Sequence, residues 1–254
     1  MESNQWYLEY KIHNNRPGLL GDIASLLGML EVNILTINGL KNQTRCMLLQ
    51  TDDANKITLL GQLLAAMNSI TVNKLGTPSL IDIMAMRHGK YIERDAAALK
   101  TYRFTRDELG VLVDFLGEVF KQPGHLVIGL RGRPRVGKTE SIIAGSVCAN
   151  KRWTFLSSTL LRQTVRNQLT EQELNPRNVF IIDGVVSTIR SNEKHATLLE
   201  HVFAMPCIKV VEHPDMFISE STYNYDIFDF IVELRSTPDE EITMDELMLD
   251  EGYL

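Results

Sequence analysis

Apolar residues in the N-terminal part of the chain recur with the two spacings that distinguish strands from helices. Residues 6–14 alternate like a half-buried strand, and Asn15–Gly18 is a turn with a built-in breaker. One helical face then carries the apolar residues Leu19, Leu20, Ile23, Leu26, Leu27 and Leu30. Further strands are predicted at 32–40, 44–51 and 69–74, and a second helix is predicted from Asp53 onward. The order βαββαβ over 6–76 predicts the split-βαβ, ferredoxin-like arrangement.

A second pattern in the C-terminal part alternates apolar strands with helices. Thr105 and Glu108 form a capping box that opens a predicted helix over 106–121. Strands are predicted at 126–130, 153–157, 178–183, 208–212 and 228–234, and helices at 142–149, 159–169 and 192–204. This alternation predicts a small α/β domain with about five mainly parallel strands and a ligand at their carboxyl ends.

The two patterns define the expected fold class, α+β followed by α/β, and the expected domain boundaries. We expect a regulatory domain at 6–76, a connector at 77–124, a nucleotide-binding domain at 125–235 and an acidic tail at 236–254. Within the connector, 80–86 is predicted as a strand and 87–103 as a linker with a short helix at 96–99.

Composition narrows the class of protein without naming a function. With 254 residues, 44% hydrophobic and 23% charged, the chain can build two cores, which excludes a single small module and a disordered chain. The longest uncharged stretch, 57–73, is shorter than the roughly 20 apolar residues of a spanning helix, and the N-terminus lacks a signal-peptide pattern. We therefore expect a cytoplasmic protein with no membrane association. Three widely spaced cysteines indicate neither a disulfide framework nor a zinc site.

Charge is distributed unevenly along the chain. The tail holds seven acidic residues and no lysine or arginine, whereas 121–170 holds nine basic residues and one acid. Such a basic window indicates contact with a polyanion: nucleotide phosphates, nucleic acid or the chain's own tail. A sharper hypothesis is that the tail, with a short helix predicted at 244–250, docks on the basic window and competes with nucleotide.

The strongest chemical signal is the match of Gly132–Thr139 to GxxxxGK[ST] between a strand and a helix. Backbone amides of such a loop surround phosphates, Lys138 reaches the β- and γ-phosphates, and Thr139 is placed to ligate Mg²⁺. The predicted cofactors are therefore Mg²⁺ and ATP or GTP, with ATP as the default because no guanine-specifying Asn-Lys-x-Asp occurs. The predicted nucleotide-binding residues are Gly132, Arg133, Pro134, Arg135, Val136, Gly137, Lys138, Thr139 and Glu140.

Asp183 ends an apolar strand, as expected of a Walker-B aspartate that holds Mg²⁺ together with Thr139. Lys138 and Asp183 are the candidate catalytic residues. Gly184 follows Asp183, so the acidic pair of many ATPases is absent and hydrolysis is expected to be weak or conditional. Further candidates near the phosphates are the carboxylates of Glu212 and Asp215 and the arginines Arg131, Arg133, Arg135, Arg162 and Arg190.

The segment Tyr10-Lys-Ile-His-Asn-Asn-Arg-Pro-Gly-Leu-Leu-Gly-Asp-Ile-Ala-Ser-Leu-Leu-Gly, continuing to Val32-Asn-Ile-Leu, resembles an ACT domain. That resemblance implies a homodimer and a site for an amino acid or similar small effector at the loop before the first helix. The residues it implicates are Asn15, Arg16, Pro17, Gly18, Leu19 and Asn33. A carboxylate suits free amides at a helix N-terminus. The alternative is that Pro17–Gly18 is only a turn in a dimerising domain.

The nucleotide-binding part resembles two families incompletely, the AAA/STAND signalling ATPases and small kinases such as adenylate kinase. The whole chain is similar to the YmfK family of spore-forming Firmicutes, a resemblance that implies no activity. We interpret the protein as a small-molecule sensor in which an ACT-like domain regulates a Mg²⁺-nucleotide site. The alternatives are a small-molecule kinase and a non-enzymatic, nucleotide-switched regulator or nucleic-acid-binding protein, of which nucleic-acid binding is not favoured. The sequence leaves open whether the chain is an enzyme.

Overall fold

The computed structural model describes residues 4–95, 100–159, 161 and 164–242 of the chain, which divides into two compact units, 1–92 and 93–254. Both units mix helices with strands, and the strands form several sheets. Within the part of the chain that is described, no helix has the length and apolar character needed to cross a bilayer.

Unit 1 is built on a four-stranded antiparallel sheet. Its elements are β1 Gln5–Ile12, α1 Leu19–Met29, β2 Asn33–Gly39, β3 Thr44–Gln50, α2 Ala54–Ala65, β4 Ile70–Gly76 and α3 Leu80–His88. The strand order is β2-β3-β1-β4, so the first strand lies in the interior of the sheet. Leu8 and Leu49 on one face of the sheet pack in a single core with Ile23 and Leu27 of α1 and Leu60 of α2. The six predicted elements between residues 6 and 76 are confirmed.

The other face of this sheet is covered by α3. Tyr7 and Leu48, which alternate with the residues of the first core, pack against Ala85 and Met86. The prediction of a strand at 80–86 is wrong, because Ser79 starts a helix. Its hydroxyl accepts a hydrogen bond from the Asp82 amide while the Asp82 carboxylate accepts one from the Ser79 amide, a full capping box.

Unit 2 is built on a seven-stranded sheet. Its main strands are β5 Glu93–Arg94, β6 Thr101–Thr105, β7 Leu126–Arg131, β8 Arg152–Phe155, β11 Asn178–Asp183, β12 Ile208–Glu212 and β13 Phe230–Arg235. The order is β5-β6-β13-β7-β12-β11-β8, and every neighbouring pair is parallel except β5 with β6. Two short strands, β9 Ser157–Ser158 and β10 Thr164–Val165, form a separate antiparallel pair.

Five helices accompany this sheet among the described residues: α4 Leu109–Lys121, α5 Lys138–Cys148, α6 Gly184–Ile189, α7 Glu193–Ala204 and α8 Pro214–Ser219. The capping box of Thr105 and Glu108 is present and precedes α4 through a single 3₁₀ turn. The short helices α6 and α8 were not predicted, because six residues carry too little periodicity to be recognised.

Three sequence predictions differ from this architecture. The predicted linker 87–103 includes β5 and part of β6, so the parallel part of the sheet has six strands rather than about five. The helix predicted at 159–169 is wrong where it can be checked, since the β-branched Thr164 and Val165 form β10. The helices predicted at 96–99 and 244–250 lie outside the described residues.

The parallel strands bring their carboxyl ends to one edge of the sheet. All residues of β11 and β12 are buried, as expected for strands with both faces covered. Arg131, Asp183, Glu212 and Arg235 are the last residues of β7, β11, β12 and β13. Polar side chains that are far apart in sequence therefore meet at this edge.

Candidate functional site

The glycine loop, defined here as residues 132–139, runs from the end of β7 into the first turn of α5. Gly132 and Gly137 have φ angles of 156° and 114°, and a Cβ atom at Gly132 would lie 2.5 Å from the carbonyl oxygen of Leu234. Both positions thus require glycine, the first because the loop packs directly against the end of β13. No side chain caps the start of α5, whose N-cap residue is Gly137.

Lys138 is turned into the glycine loop. Its side chain is only 6% exposed, and Nζ donates hydrogen bonds to the carbonyl oxygens of Gly132 at 2.7 Å and Arg133 at 2.8 Å. A buried ammonium group is costly unless it is bonded in this way. The loop and the lysine therefore hold a positive charge close to the uncapped amides of the first turn of α5.

Thr139 is bonded to a residue from a distant part of the sequence. Its hydroxyl donates to Oε1 of Glu212 over 2.6 Å. Glu212 is 6% exposed, and burial raises the pKa of its carboxyl to about 7, with the nearby charges of Asp183 and Glu140 adding to the rise. The Thr139 hydrogen bond and the charge of Lys138 act in the opposite direction.

Asp183 lies beside Glu212 in the sheet but makes different contacts. The two residues are register partners in the parallel pair of β11 and β12. Asp183 accepts hydrogen bonds from the Val186 amide at 3.1 Å, as the N-cap of α6, and from the Thr159 amide at 3.0 Å. Among the described contacts, the hydroxyl of Thr139 is therefore bonded to Glu212, while Asp183, the other residue expected to hold Mg²⁺, accepts hydrogen bonds from backbone amides.

A buried chain of hydrogen bonds runs behind Asp183. The Ser157 hydroxyl bonds to both the backbone amide and the carbonyl of Asp183, and it contacts the Ser187 hydroxyl at 2.6 Å. Ser187 in turn contacts Nε2 of His195 at 3.1 Å, and Nδ1 of His195 donates to the carbonyl of Arg166 at 2.7 Å. Burial lowers the pKa of His195, so the ring is neutral at pH 7. The sequence carried no signal for these hydrogen bonds, because the residues that form them are separated by loops and turns.

The backbone at His213, directly after Glu212, is left-handed, with a φ angle of 54°. Its side chain is 5% exposed, and burial together with the charge of Lys138 lowers its pKa to about 4. Non-glycine residues held in sparsely populated backbone conformations cluster at functional sites. No motif in the sequence points to His213.

The arginines of the glycine-loop region have separate partners. Arg131 pairs with both oxygens of Asp215 at 2.6 and 2.7 Å and also with Glu233. Arg133 lies in ion-pair contact with Glu240, while the side chain of Arg135 is exposed. Asp215, which was a candidate carboxylate near the phosphates, is therefore paired with Arg131. Arg190 is exposed, and Arg162 lies outside the described residues.

Unit 1 has its own cavity, of about 230 Å³, beside the start of α1. Its lining residues are Tyr10, Ile12, Asn15, Arg16, Gly18, Leu19, Leu20, Gly21 and Arg45. Four of the six predicted effector residues are in that set, whereas Pro17 and Asn33 are not. Arg45 was missed, because it comes from β3 and reaches the cavity only through the pairing of β3 with β1.

Comparison with known proteins places the chain in a family. Residues 72–252 match the family described as "Protein of unknown function (DUF3388)". The chain belongs to the DUF3388 family. It is also 57% identical over 239 residues to the Bacillus subtilis (strain 168) protein named "Uncharacterized protein YmfK", which covers 94% of this chain and 89% of that protein. The expected similarity to the YmfK family is confirmed.

The DUF3388 match contains the whole of the candidate site in unit 2, including the glycine loop, Asp183 and Glu212. It begins within β4, so α1 and the first three strands of unit 1 lie before it. The relation to the Bacillus subtilis protein extends over nearly the whole chain and so includes most of both units.

Proposed function

We propose that this DUF3388 protein is a cytoplasmic sensor in which an ACT-like unit regulates a Mg²⁺-nucleotide site of the P-loop type, with ATP as the default nucleotide. The observation that carries the proposal is the arrangement of Lys138 and Thr139. The lysine is bonded to two carbonyls of the glycine loop and the threonine to Glu212, at the carboxyl edge of a parallel sheet. Ligands of open α/β sheets bind at this edge.

The residues present fit a nucleotide-bound Mg²⁺ ion better than a metal ion held by protein alone. Within the described part of the chain, no group of three or more His, Cys, Asp and Glu side chains could hold a metal. Mg²⁺ commonly takes one or two protein ligands and completes its shell with water and substrate phosphates. Thr139 and Glu212 would supply the protein ligands, with Asp183 behind them, and the ion would neutralise phosphate charge. A divalent cation would also relieve the cost of ionising the buried Glu212.

The other residues of the site have roles that follow from their contacts. The ammonium group of Lys138 would move from the loop carbonyls to phosphate oxygens, and the uncapped amides of α5 would bind phosphate as well. Asp183 holds α6 and Thr159 in place beside the site. No acid follows Asp183, so slow hydrolysis remains part of the proposal.

For unit 1 we propose a ferredoxin-like, ACT-type architecture that binds a small effector carrying a carboxylate, such as an amino acid. The order β2-β3-β1-β4, with α1 and α2 in one core, supports the architecture. The cavity at α1, with Arg16 and Arg45 among its lining residues, supports an anionic group on the effector. Because β2 is an edge strand with exposed Leu35 and Ile37, a homodimer through unit 1 is part of the proposal.

Calorimetric titration with ATP and GTP in the presence of Mg²⁺ tests the proposal. Lys138→Ala is expected to weaken binding about 100-fold, since hydrogen bonds to a charged group contribute roughly 1.5–3 kcal/mol. Lys100→Ala, which removes an exposed lysine of the same unit, is the matched control and should bind like wild type. Phosphate release in the same samples measures hydrolysis. If neither nucleotide binds to the wild type at millimolar concentration, the proposal is wrong.

A further inference from the structure

Beyond β13 the chain makes a tight turn, residues 236–240, that ends next to the glycine loop. The Glu240 amide donates to the carbonyl of Thr237 at 3.2 Å, and Arg235 donates to the carbonyl of Pro238 at 3.0 Å. The amide of Ser236 donates to Oε2 of Glu240. These hydrogen bonds fix the position of the Glu240 carboxylate within the turn.

The second oxygen of this carboxylate contacts the glycine loop. Oε1 of Glu240 lies 2.7 Å from Nε of Arg133, and the Glu240 side chain is 7% exposed while that of Arg133 is 38% exposed. Both atoms are shielded from solvent, and their contact lacks the geometry of a hydrogen bond. Arg133 directly follows Gly132, which packs against the carbonyl of Leu234. The ion pair is therefore a direct consequence of how the loop meets the end of β13.

We propose that Glu240 is an intramolecular competitor of nucleotide, placing a carboxylate at the loop that would otherwise receive phosphate. This inference rests on the proposed function of the glycine loop. Its physical basis is charge. A nucleoside triphosphate that enters the loop is repelled by the carboxylate of Glu240 and meets Arg133 already paired with that carboxylate. Binding then requires the turn to move away, which couples the nucleotide site to the C-terminal segment.

Within the described part of the tail, residues 236–242, the contact with Arg133 is made by Glu240. Asp239 and Glu241 flank Glu240, yet both are exposed and line a cavity of about 550 Å³ with Arg103 and Arg235. Of the acidic residues in 236–242, Glu240 is the one in contact with the glycine loop. Its neighbour Glu241 therefore provides a control with the same change of charge at the adjacent position.

The test compares the Mg²⁺-ATP affinities of the full-length Glu240→Gln and Glu241→Gln variants by calorimetry at low ionic strength. Loss of a partly exposed ion pair and of its repulsion toward phosphate is expected to lower the Kd of Glu240→Gln about fivefold. Glu241→Gln should stay within about twofold of wild type, and the difference should shrink in about 0.5 M salt. In an Arg133→Gln background, Glu240→Gln should lower the Kd less, because the ion pair is already lost and only the repulsion toward phosphate remains to be removed.

Other results of this Kd comparison would contradict the role of Glu240 in different ways. Equal gains in both variants would show a general effect of tail charge and overturn the role of Glu240. Weaker binding by Glu240→Gln would show that the carboxylate positions Arg133 for the nucleotide, which also overturns competition. If no variant binds nucleotide, the proposed function fails and the competition with it. If wild type and Glu240→Gln bind equally and Lys138→Ala does not bind, only the present inference fails.

Discussion

In each unit one helix begins at a left-handed glycine without a side-chain cap, and the two helix starts differ in what surrounds them. Gly18 precedes α1 and Gly137 precedes α5, both with left-handed φ angles and without a side-chain cap. In contrast, α2, α3, α6 and α7 are capped by Asp53, Ser79, Asp183 and Asn192. Glycine at these two positions leaves first-turn amides available for a ligand.

The surroundings of these two helix starts separate their chemistry. Around Gly137 the side chains of Lys138, Asp183 and Glu212 are buried. Lys138 and Asp183 are hydrogen-bonded to backbone groups, and Glu212 accepts a hydrogen bond from the Thr139 hydroxyl. Around Gly18 the ion pair of Arg16 with Asp22 is about half exposed, and the cavity is small. A left-handed glycine therefore starts a helix among buried side chains in unit 2 and at the surface in unit 1. We expect substitutions in the loop of unit 2 to destabilise the protein more than substitutions in the loop of unit 1.

The largest expected effect tests this difference in packing. Gly132→Ala forces a Cβ against the Leu234 carbonyl and into a left-handed backbone, which should destabilise unit 2 by about 3 kcal/mol. Gly18→Ala meets no atom closer than 3.8 Å, so backbone strain of about 1 kcal/mol is the expected cost. Urea unfolding of both variants measures these values.

Gly21→Ala is the control for this pair, because nothing lies within 4 Å of the added atom and the position is helical. It should stabilise unit 1 by up to about 1 kcal/mol. Equal losses for Gly18→Ala and Gly132→Ala would contradict the contrast between the two loops.

A smaller effect concerns pH, since His195, one of the two buried histidines described above, belongs to the hydrogen-bond network behind Asp183. Burial lowers the pKa of His195, whereas an unfolded histidine titrates near 6.5. Below that pH the unfolded chain binds a proton that the folded chain does not, so stability falls by at most about 1.4 kcal/mol per pH unit.

Unfolding free energies at pH 7 and pH 5 check this expectation. His195→Gln should flatten the pH dependence, whatever its effect on the stability at pH 7. His13→Gln, at an exposed histidine in unit 1, should leave the slope unchanged. An identical slope in wild type and His195→Gln would show that other groups control acid sensitivity.

The smallest effect concerns a side-chain cap of the ordinary kind. The Asp53 carboxylate accepts from the Asn55 amide at 2.9 Å, so Asp53→Ala should destabilise unit 1 by about 1 kcal/mol. Asp52→Ala removes an exposed neighbouring charge and should be within about 0.5 kcal/mol of wild type. Thermal unfolding of the two variants distinguishes them, and equal shifts would mean that charge rather than capping is responsible.

Local signals in the sequence predicted much of the fold. Breakers and caps within four or five residues, such as Pro17–Gly18 and the pair Thr105 and Glu108, located their helices correctly. Ser79 and Asp82 form a capping box of the same length, yet residues 80–86 are predicted as a strand and form α3. The capping pair is the local signal in the sequence that marks this helix.

The glycine loop and the strand-end carboxylates Asp183 and Glu212 could be predicted from the sequence, but the contacts between them could not. The glycine loop could be recognised from eight neighbouring residues, whereas Glu212 lies 73 positions from Thr139. Their contact depends on β12 lying next to β7. The local spacing of apolar residues predicts where strands occur but not the order of strands in a parallel sheet. The pairing of Arg133 with Glu240 has the same origin, because β13 inserts beside β7 and leads the tail back to the loop.

The position of β13 also bears on how the protein is made. All four strands of unit 1 lie between residues 5 and 76, so its sheet can close early in synthesis. In unit 2 the last of the described strands, β13, inserts between β6 and β7. Until it emerges from the ribosome, both of these strands present unpaired edges to other chains. Nascent unit 2 is therefore expected to expose unpaired strand edges for longer than unit 1.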